Sequence, residues 1–282
     1  MSLDQPFYEE EYGANDKEMG FLDHLEALRW HIVRCVLAIL LFACVAFGFI
    51  NILFDDILMG PAKPSFWTYR MLCKYLGDSF CIKDIGFKII NTDLSGQFTK
   101  HIMTSLMTGV ILGFPYILWE LWRFVAPALK GRERKNTSKI VGAGSILFLI
   151  GLVFGYYFIT PITVQFLGSY RISAYIQNYI DMESYLDTVV MMTFCSGIVF
   201  ELPMIVFFLA RAGILSAKTM RQYRRHAVLA IIVLSAIITP GGDITSLLVL
   251  SIPFYLLFEA SIIVAAAVYR KRAEEDADYS IE

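Results

Sequence analysis

The chain has 282 residues, of which 57% are hydrophobic and only 18% charged, against roughly 25% charged in a soluble globular protein. This excludes a large soluble domain, because six helices of about 20 apolar residues, each long enough to cross the hydrocarbon layer, would leave only connecting loops. The net charge of -2 hides a division: residues 1–26 hold eight acids and one lysine, residues 274–282 hold five more acids, and residues 27–273 are left with a net +10, as suits basic cytoplasmic loops.

The acidic stretch Met1–Glu26 has no basic region leading into an apolar run and a small-residue cleavage site, so no cleavable signal peptide is expected. Residues 1–20 read as a polar cytoplasmic tail. The first span lies between Arg34 and Asp55, twenty uncharged residues, and the second between Lys100 and Glu120, nineteen. The intervening segment, about 55–100, is an outer loop. No charge interrupts the run from Lys139 to Arg171, and Pro161 is predicted to end the third helix there. The fourth span runs from Asp187 to Arg211, broken only by Glu201, and the sixth from Asp243 to Arg270, broken only by Glu259. Between them His226–Thr239 is apolar but only 14 residues long, about 21 Å as a helix. Residues 226–268 therefore read as a hairpin of two short helices that thins the bilayer or leans on protein neighbours; a re-entrant loop, giving five spans and opposite termini, is the alternative. Residues 21–270 form the transmembrane domain and 271–282 an acidic tail, with 273–282 expected to be mobile.

Lysine and arginine placement orients the frame. The connections 127–139 and 211–225 carry ten basic residues between them, while 162–186 carries only Arg171 and 240–245 none. Both termini are thus expected in the cytoplasm. The outer loop has six basic residues, but its five aspartates nearly cancel them. Cys35, Cys44 and Cys195 fall inside spans, where a small buried hydrophobe is the expected role. Cys73 and Cys81 fall in the outer loop, where an oxidising compartment permits a bridge.

Chemistry-bearing residues are few. His24, His31, His101 and His226 lack metal-ligand spacing, and neither H-E-x-x-H nor a phosphate-binding G-x-x-x-x-G-K-[ST] occurs; no metal, cofactor or nucleic acid is expected. Glu201 lies near mid-membrane or somewhat cytoplasmic of it, where a carboxylate costs a few kcal/mol unless neutral, paired or wet. It is read as a polar patch lining a cavity or receiving a partner helix, against the plainer role of a protonated acid bonded to a neighbouring helix. Pro203 beside it is expected to distort the helix. Glu259 is read as structural and near the cytoplasmic interface, Glu120 and Arg123 as an intrahelical pair, and Asp243 as a cap for the last helix. At the cytoplasmic rim, Glu26 among His24-Leu25-Glu26-Ala27-Leu28-Arg29 and Glu133 within Arg132-Glu133-Arg134 each set a carboxylate beside basic neighbours, which becomes a candidate site where the two converge.

Several segments together resemble one family. Phe124-Val125-Ala126-Pro127-Ala128-Leu129 with Arg132-Glu133-Arg134 is similar to the first cytoplasmic loop of TatC proteins, the multispanning core of the twin-arginine protein translocase. Phe200-Glu201-Leu202-Pro203 resembles that family's fourth-helix motif. Thr239-Pro240 with Asp243, and Ile252-Pro253 with Phe258-Glu259, resemble its last hairpin, and His24-Leu25 with Leu28-Arg29 its N-terminal signature. The usual N-terminal pattern is H-L-x-E-L-R; here the acid stands one place earlier, at Glu26, with Ala27 in the usual position.

The resemblance implies an all-α, glove-shaped bundle of six transmembrane helices in the inner membrane. It implies a receptor that binds the twin-arginine signal peptide of folded proteins at its cytoplasmic face, self-associates in the lipid bilayer, and works with single-span subunits of the TatA/TatB type. Transport is then driven by the proton gradient, without an enzymatic step. Glu133 becomes the principal contact for the signal arginines and Glu26 the second, with Arg132, Arg134, Phe124 and Leu129 around them and Pro127 shaping the loop. The competing readings are a proton-coupled secondary transporter of a small solute using Glu201, for which no inverted repeat is visible, and an intramembrane enzyme, for which the spans offer no nucleophile with its base.

Overall fold

The computed structural model describes residues 21–77, 82, 85–125, 137–173, 175–211, 213–239 and 244–279. Helix α1 (Phe21–Gly48) is followed by a π-helical turn, Ile52–Leu58, a 3-10 turn, Gly60–Ala62, helix α2 (Trp67–Leu76) and strand β1 (Phe87–Ile90). Helix α3 (Gly96–Val125) comes next, then α4 (Thr137–Phe154) joined through a π-helical turn, Gly155–Ile159, to α5 (Thr160–Ser169). Strand β2 (Asn178–Asp181) precedes α6 (Met182–Phe200), α7 (Leu202–Arg211), α8 (Ala217–Gln222), α9 (Arg224–Ile238) and α10 (Ile244–Tyr279).

Among the described residues five stretches are long and apolar enough to cross a membrane: 26–48, 96–124, 141–169, 182–211 and 247–270. Each overlaps a charge gap in the sequence, although the first begins before Arg34 and ends at Gly48, short of Asp55. Helix α9, at 15 residues, is the short member of the C-terminal hairpin, and it packs along α10. The expectation of two short helices fails for α10, which runs 36 residues. Alanine and glutamate, both strong helix formers, continue it through 271–279, so the C-terminal tail is largely an extension of the last helix. The N-terminal tail, residues 1–20, lies outside the described residues.

The third helix does not stop at Pro161. Proline at this position lacks the N–H that would bond the carbonyl of Tyr157. The chain absorbs the loss in the π turn Gly155–Ile159, leaving Pro161 in the first turn of α5. The freed Tyr157 carbonyl accepts a hydrogen bond from the Thr68 hydroxyl of α2. The Tyr69 hydroxyl donates to the Pro161 carbonyl at 3.0 Å and to that of Pro61 at 2.9 Å, and burial pushes the Tyr69 phenol well above its ordinary pKa.

The outer segment is accordingly a built cap and departs from the purely helical expectation. Strands β1 and β2 pair in parallel from Phe87 opposite Asn178 to Ile90 opposite Asp181, the long crossover between them being α3 to α5. Beneath the sheet, Leu58, Val164, Tyr185, Leu186 and Val189 form one buried cluster, and the Tyr185 hydroxyl donates to the Leu58 carbonyl at 2.8 Å. Cys73 of α2 is disulfide-bonded, whereas Cys35, Cys44 and Cys195 are free; Cys81 lies outside the described residues.

Small residues let the spans approach closely. A methyl placed on Gly109 of α3 would meet the Ile39 carbonyl oxygen at 2.6 Å and the Ala43 nitrogen at 2.8 Å, which is how α1 seats against α3. On α4, Gly151 faces Gly197 and Phe200 of α6, where a methyl would stand 2.9 Å from the Gly197 Cα and 2.7 Å from the Phe200 Cβ. Between α6, α9 and α10 the core is Met192, Val199, Ile231, Ile238, Leu250 and Phe254. A further cluster, Val206, Ala210, Met220, Ile262 and Ala265, closes the end opposite the sheet.

Candidate functional site

The two ends of the bundle differ in charge. Lys100 near the start of α3 bonds Asp187 of α6 at 2.7 Å and Glu183 at 2.9 Å, so the first turns of α3 and α6 lie together at the sheet end. The C-terminal ends of α3 and α7 then lie at the opposite end, with α8 and the start of α9. That end carries Arg34, Arg123, Arg211, Lys218, Arg221 and Arg224. Lys100 reads in the sequence as a span boundary; it is 7% exposed and fastens two spans. Only the acids 83 and 87 residues downstream reveal this, and a linear pattern does not bring them near.

At the sheet end Asp181 joins three elements. Its carboxylate accepts from the Thr92 hydroxyl at 2.7 Å, the Thr92 amide at 3.2 Å and the Glu183 amide at 2.9 Å, capping α6. The Thr92 hydroxyl, aided by these amides, holds its carboxyl below the usual aspartate range.

At the basic end, Glu120 of α3 is the organising residue. Its side chain is 2% exposed, and it is bonded by His31 Nδ1 of α1 and by the Tyr116 hydroxyl at 3.0 Å. Arg123 stands 3.6 Å and Arg34 3.8 Å from its oxygens. The intrahelical pairing with Arg123 is thus one part of a larger knot that crosses from α3 to α1. The His31 ring also meets Phe124 edge-on with centroids 6.0 Å apart. The knot therefore brings the beginning of α1 against the end of α3, the described helix that precedes Glu133 in the sequence. Glu26 is exposed on α1 and makes none of the ion pairs among the described residues. Glu133, Arg132, Arg134, Pro127 and Leu129 lie outside the described residues, as do Pro240 and Asp243.

Glu201 sits at the break between α6 and α7. Pro203 cannot supply an N–H to the Val199 carbonyl, and the Glu201 amide is shared between the carbonyls of Ile198 and Val199, while Met204 and Ile205 both donate to the Glu201 carbonyl at 2.9 Å. The helix bends where the sequence anticipates it. The side chain is buried, with Oε1 lacking a hydrogen-bond partner. Its carboxylate lies over Gly144 of α4, where a methyl would approach Oε2 to 3.3 Å and Leu118 of α3 to 3.2 Å. One turn beyond Leu118, the buried Trp122 indole packs at a tilt against Phe208 of α7, with centroids 4.1 Å apart. Glu259 receives Arg224 at 2.7 Å and the Tyr255 hydroxyl at 2.9 Å, clamping α9 to α10.

Among the described residues, cavities open at two places on the bundle. One of about 280 Å³, between α3, α4, α6 and the π turn, is lined by side chains such as Leu53, Met107, Ile111, Leu152 and Val190. The other, about 510 Å³, lies at the sheet end between Asp181, Glu183, Asp187 and Ile237. Glu201 lines neither, so it is not poised as a coupling acid in either space. Among the described residues no cluster of His, Cys, Asp or Glu has the geometry to hold a metal.

Comparison with known proteins adds an independent line. The family model described as Sec-independent protein translocase protein (TatC) matches residues 23–253. The Sec-independent protein translocase protein TatC of Blattabacterium sp. subsp. Periplaneta americana (strain BPLAN) is 36% identical over 266 residues, covering 92% of this chain and 99% of that protein. TatCd of Bacillus subtilis (strain 168) is 32% identical over 260 residues, covering 92% of this chain and 97% of its own. A crystal structure described as the twin arginine translocase receptor TatC superposes with a TM-score of 0.70 at 26% identity, covering 87% of this chain and 99% of that one.

Proposed function

The chain belongs to the TatC family of Sec-independent protein translocase proteins, and from that premise we propose that its basic end is the receptor surface for twin-arginine signal peptides of folded proteins. As a member of that family it is a membrane-embedded translocase subunit and not an enzyme. The relatives described above are protein translocase proteins, and the small-solute transporter reading has no support among them.

The observation that carries the proposal is the Glu120 knot. It joins the beginning of α1, with Glu26 on its exposed face, to the end of α3, with Phe124 in the last turn of this helix that precedes Glu133 in the sequence. Two adjacent guanidinium groups call for carboxylates, because the planar donor fork of arginine pairs bidentately with two oxygens and the lysine ammonium does not. Glu133 receives one signal arginine, and Arg132, Arg134, Leu129 and Pro127 shape the loop around it. Glu26, exposed at the same end, adds attraction. The apolar part of the signal lies along the membrane-embedded scaffold.

In this reading the basic end and both termini face the cytoplasm, following the placement of arginine and lysine, with α9 as the short fifth of six spans in the inner membrane. The sheet end with its disulfide-bonded Cys73 faces the oxidising side. Buried Glu201, with one oxygen unpartnered, receives a polar side chain from a single-span subunit of the TatA/TatB type, and export draws on the proton gradient. The test is crosslinking from position 133 to a twin-arginine signal peptide, with Glu133→Gln as the variant. Severe loss of signal binding in the variant supports the proposal, and unchanged binding and transport overturn it.

A further inference from the structure

Glu120 is held in two different ways at once. His31 and the Tyr116 hydroxyl bond one oxygen each, Tyr116 at 3.0 Å, and together they fix the plane of the carboxylate. Each oxygen is also approached by one guanidinium group of the chain, Oε2 by Arg34 at 3.8 Å and Oε1 by Arg123 at 3.6 Å. At those separations neither arginine forms a hydrogen bond. They neutralise the buried acid while leaving lone pairs on both oxygens unused. The side chains of Arg34 and Arg123 are 44% and 52% exposed, so both are free to swing into water.

We propose that Glu120 is the seat for the second arginine of the signal's pair, the one that Glu133 does not receive, and that its guanidinium displaces Arg34 or Arg123 from the carboxylate. This rests on the receptor reading above and deepens it. The exchange replaces cations with cations, so no charge is left buried and uncompensated. The carboxylate is already oriented by His31 and Tyr116, so binding orders little that is not ordered beforehand. An entering arginine that reaches hydrogen-bonding distance gains charged bonds that the two resident arginines do not make. The location suits the role, because Phe124 packs on the His31 ring and Glu133 follows the same helix end in the sequence. Glu26 stands five residues before His31, about 140° around the helix from it, and its exposed carboxylate has no such fixed geometry. Glu26 therefore acts as an attractor at the lip, and Glu120 reads the arginine shape.

The experiment uses the full-length protein in liposomes with two synthetic signal peptides, identical except for an Arg-Arg or a Lys-Lys pair. Glu120→Gln is expected to weaken the Arg-Arg peptide about tenfold or more, the scale of a lost charged hydrogen bond, and to narrow its advantage over the Lys-Lys peptide. Because Glu120→Gln can also loosen α1 from α3, a double variant of the exposed competitors, Arg34→Ala with Arg123→Ala, supplies the second arm. It is expected to bind the Arg-Arg peptide several-fold more tightly. An unchanged Arg-Arg to Lys-Lys ratio in a folded Glu120→Gln protein, or weaker binding by the double variant, overturns the seat. A wild-type protein that does not prefer the Arg-Arg peptide, or a Glu133→Gln protein that still crosslinks, overturns the receptor reading instead.

Discussion

The contact between α4 and α6 turns on one hydrogen atom. Replacing Gly151 by alanine places a methyl 2.7 Å from the Phe200 Cβ, 2.8 Å from its Cγ and 2.9 Å from the Gly197 Cα. Ordinary carbon–carbon contact begins near 3.5 Å, so the methyl is about 0.8 Å too close at its nearest neighbour. Two of these three atoms are fixed to the backbone of α6, and no side-chain rotation relieves them; the helices must part. Overpacking of this kind costs about 1–3 kcal/mol. Gly→Ala within a helix returns about 0.5–1 kcal/mol, leaving a net destabilisation of up to about 2.5 kcal/mol, and a difference of about 1–3 kcal/mol from the same change at an open position. Gly142 on the same helix is the control, since a methyl there meets nothing within 4 Å. Gly142→Ala should therefore be neutral or stabilising. The assay is thermal unfolding of both variants in the same detergent, followed by thiol reactivity of Cys195, which lies on α6 two residues before Gly197. Lower melting and earlier Cys195 exposure for Gly151→Ala alone is the expected result; equal melting of the two variants would refute the packing argument.

Two more outcomes follow from the polar groups. Thr92 holds the Asp181 carboxyl below its ordinary range, so this contact supports the fold above the unfolded-state pKa of about 3.9 and is lost as pH falls through the lower folded value. Thr92→Val should raise the Asp181 titration, read by carboxyl-carbon NMR, and make the cap between β1 and α6 open at higher pH; an unmoved titration removes Thr92 as the cause. Glu201→Ala should reduce co-purification of a single-span partner while leaving signal-peptide binding and the melting temperature near wild type, whereas a large drop in melting temperature with partner binding intact would make Glu201 a purely structural bond.

Legibility followed sequence distance. The membrane-length helices stand where uncharged runs of about twenty residues predict them, because the lipid interior enforces a length and a composition on contiguous residues. The bend beside Glu201 was readable for the same reason: Pro203 acts on a carbonyl four residues away. Pro161 shows the limit of that local rule. The missing hydrogen bond is made good by Thr68, 89 residues away from Tyr157, and the predicted helix end became a π turn instead. Glu120 shows it again at the candidate site. Its neighbour Arg123 is visible in the sequence, while His31, its closest partner, lies 89 residues away.

Composition and charge order alone determined that this chain is a membrane-embedded helical bundle, since hydrophobicity and electrostatic bias are summed along the chain and survive without coordinates. Tertiary structure alone decided which polar groups inside that bundle meet. Lys100 with Asp187 is joined by the parallel packing of α3 and α6, and His31 with Glu120 by the antiparallel packing of α1 and α3. A buried charge selects partners by distance in space and low dielectric, which no linear spacing encodes.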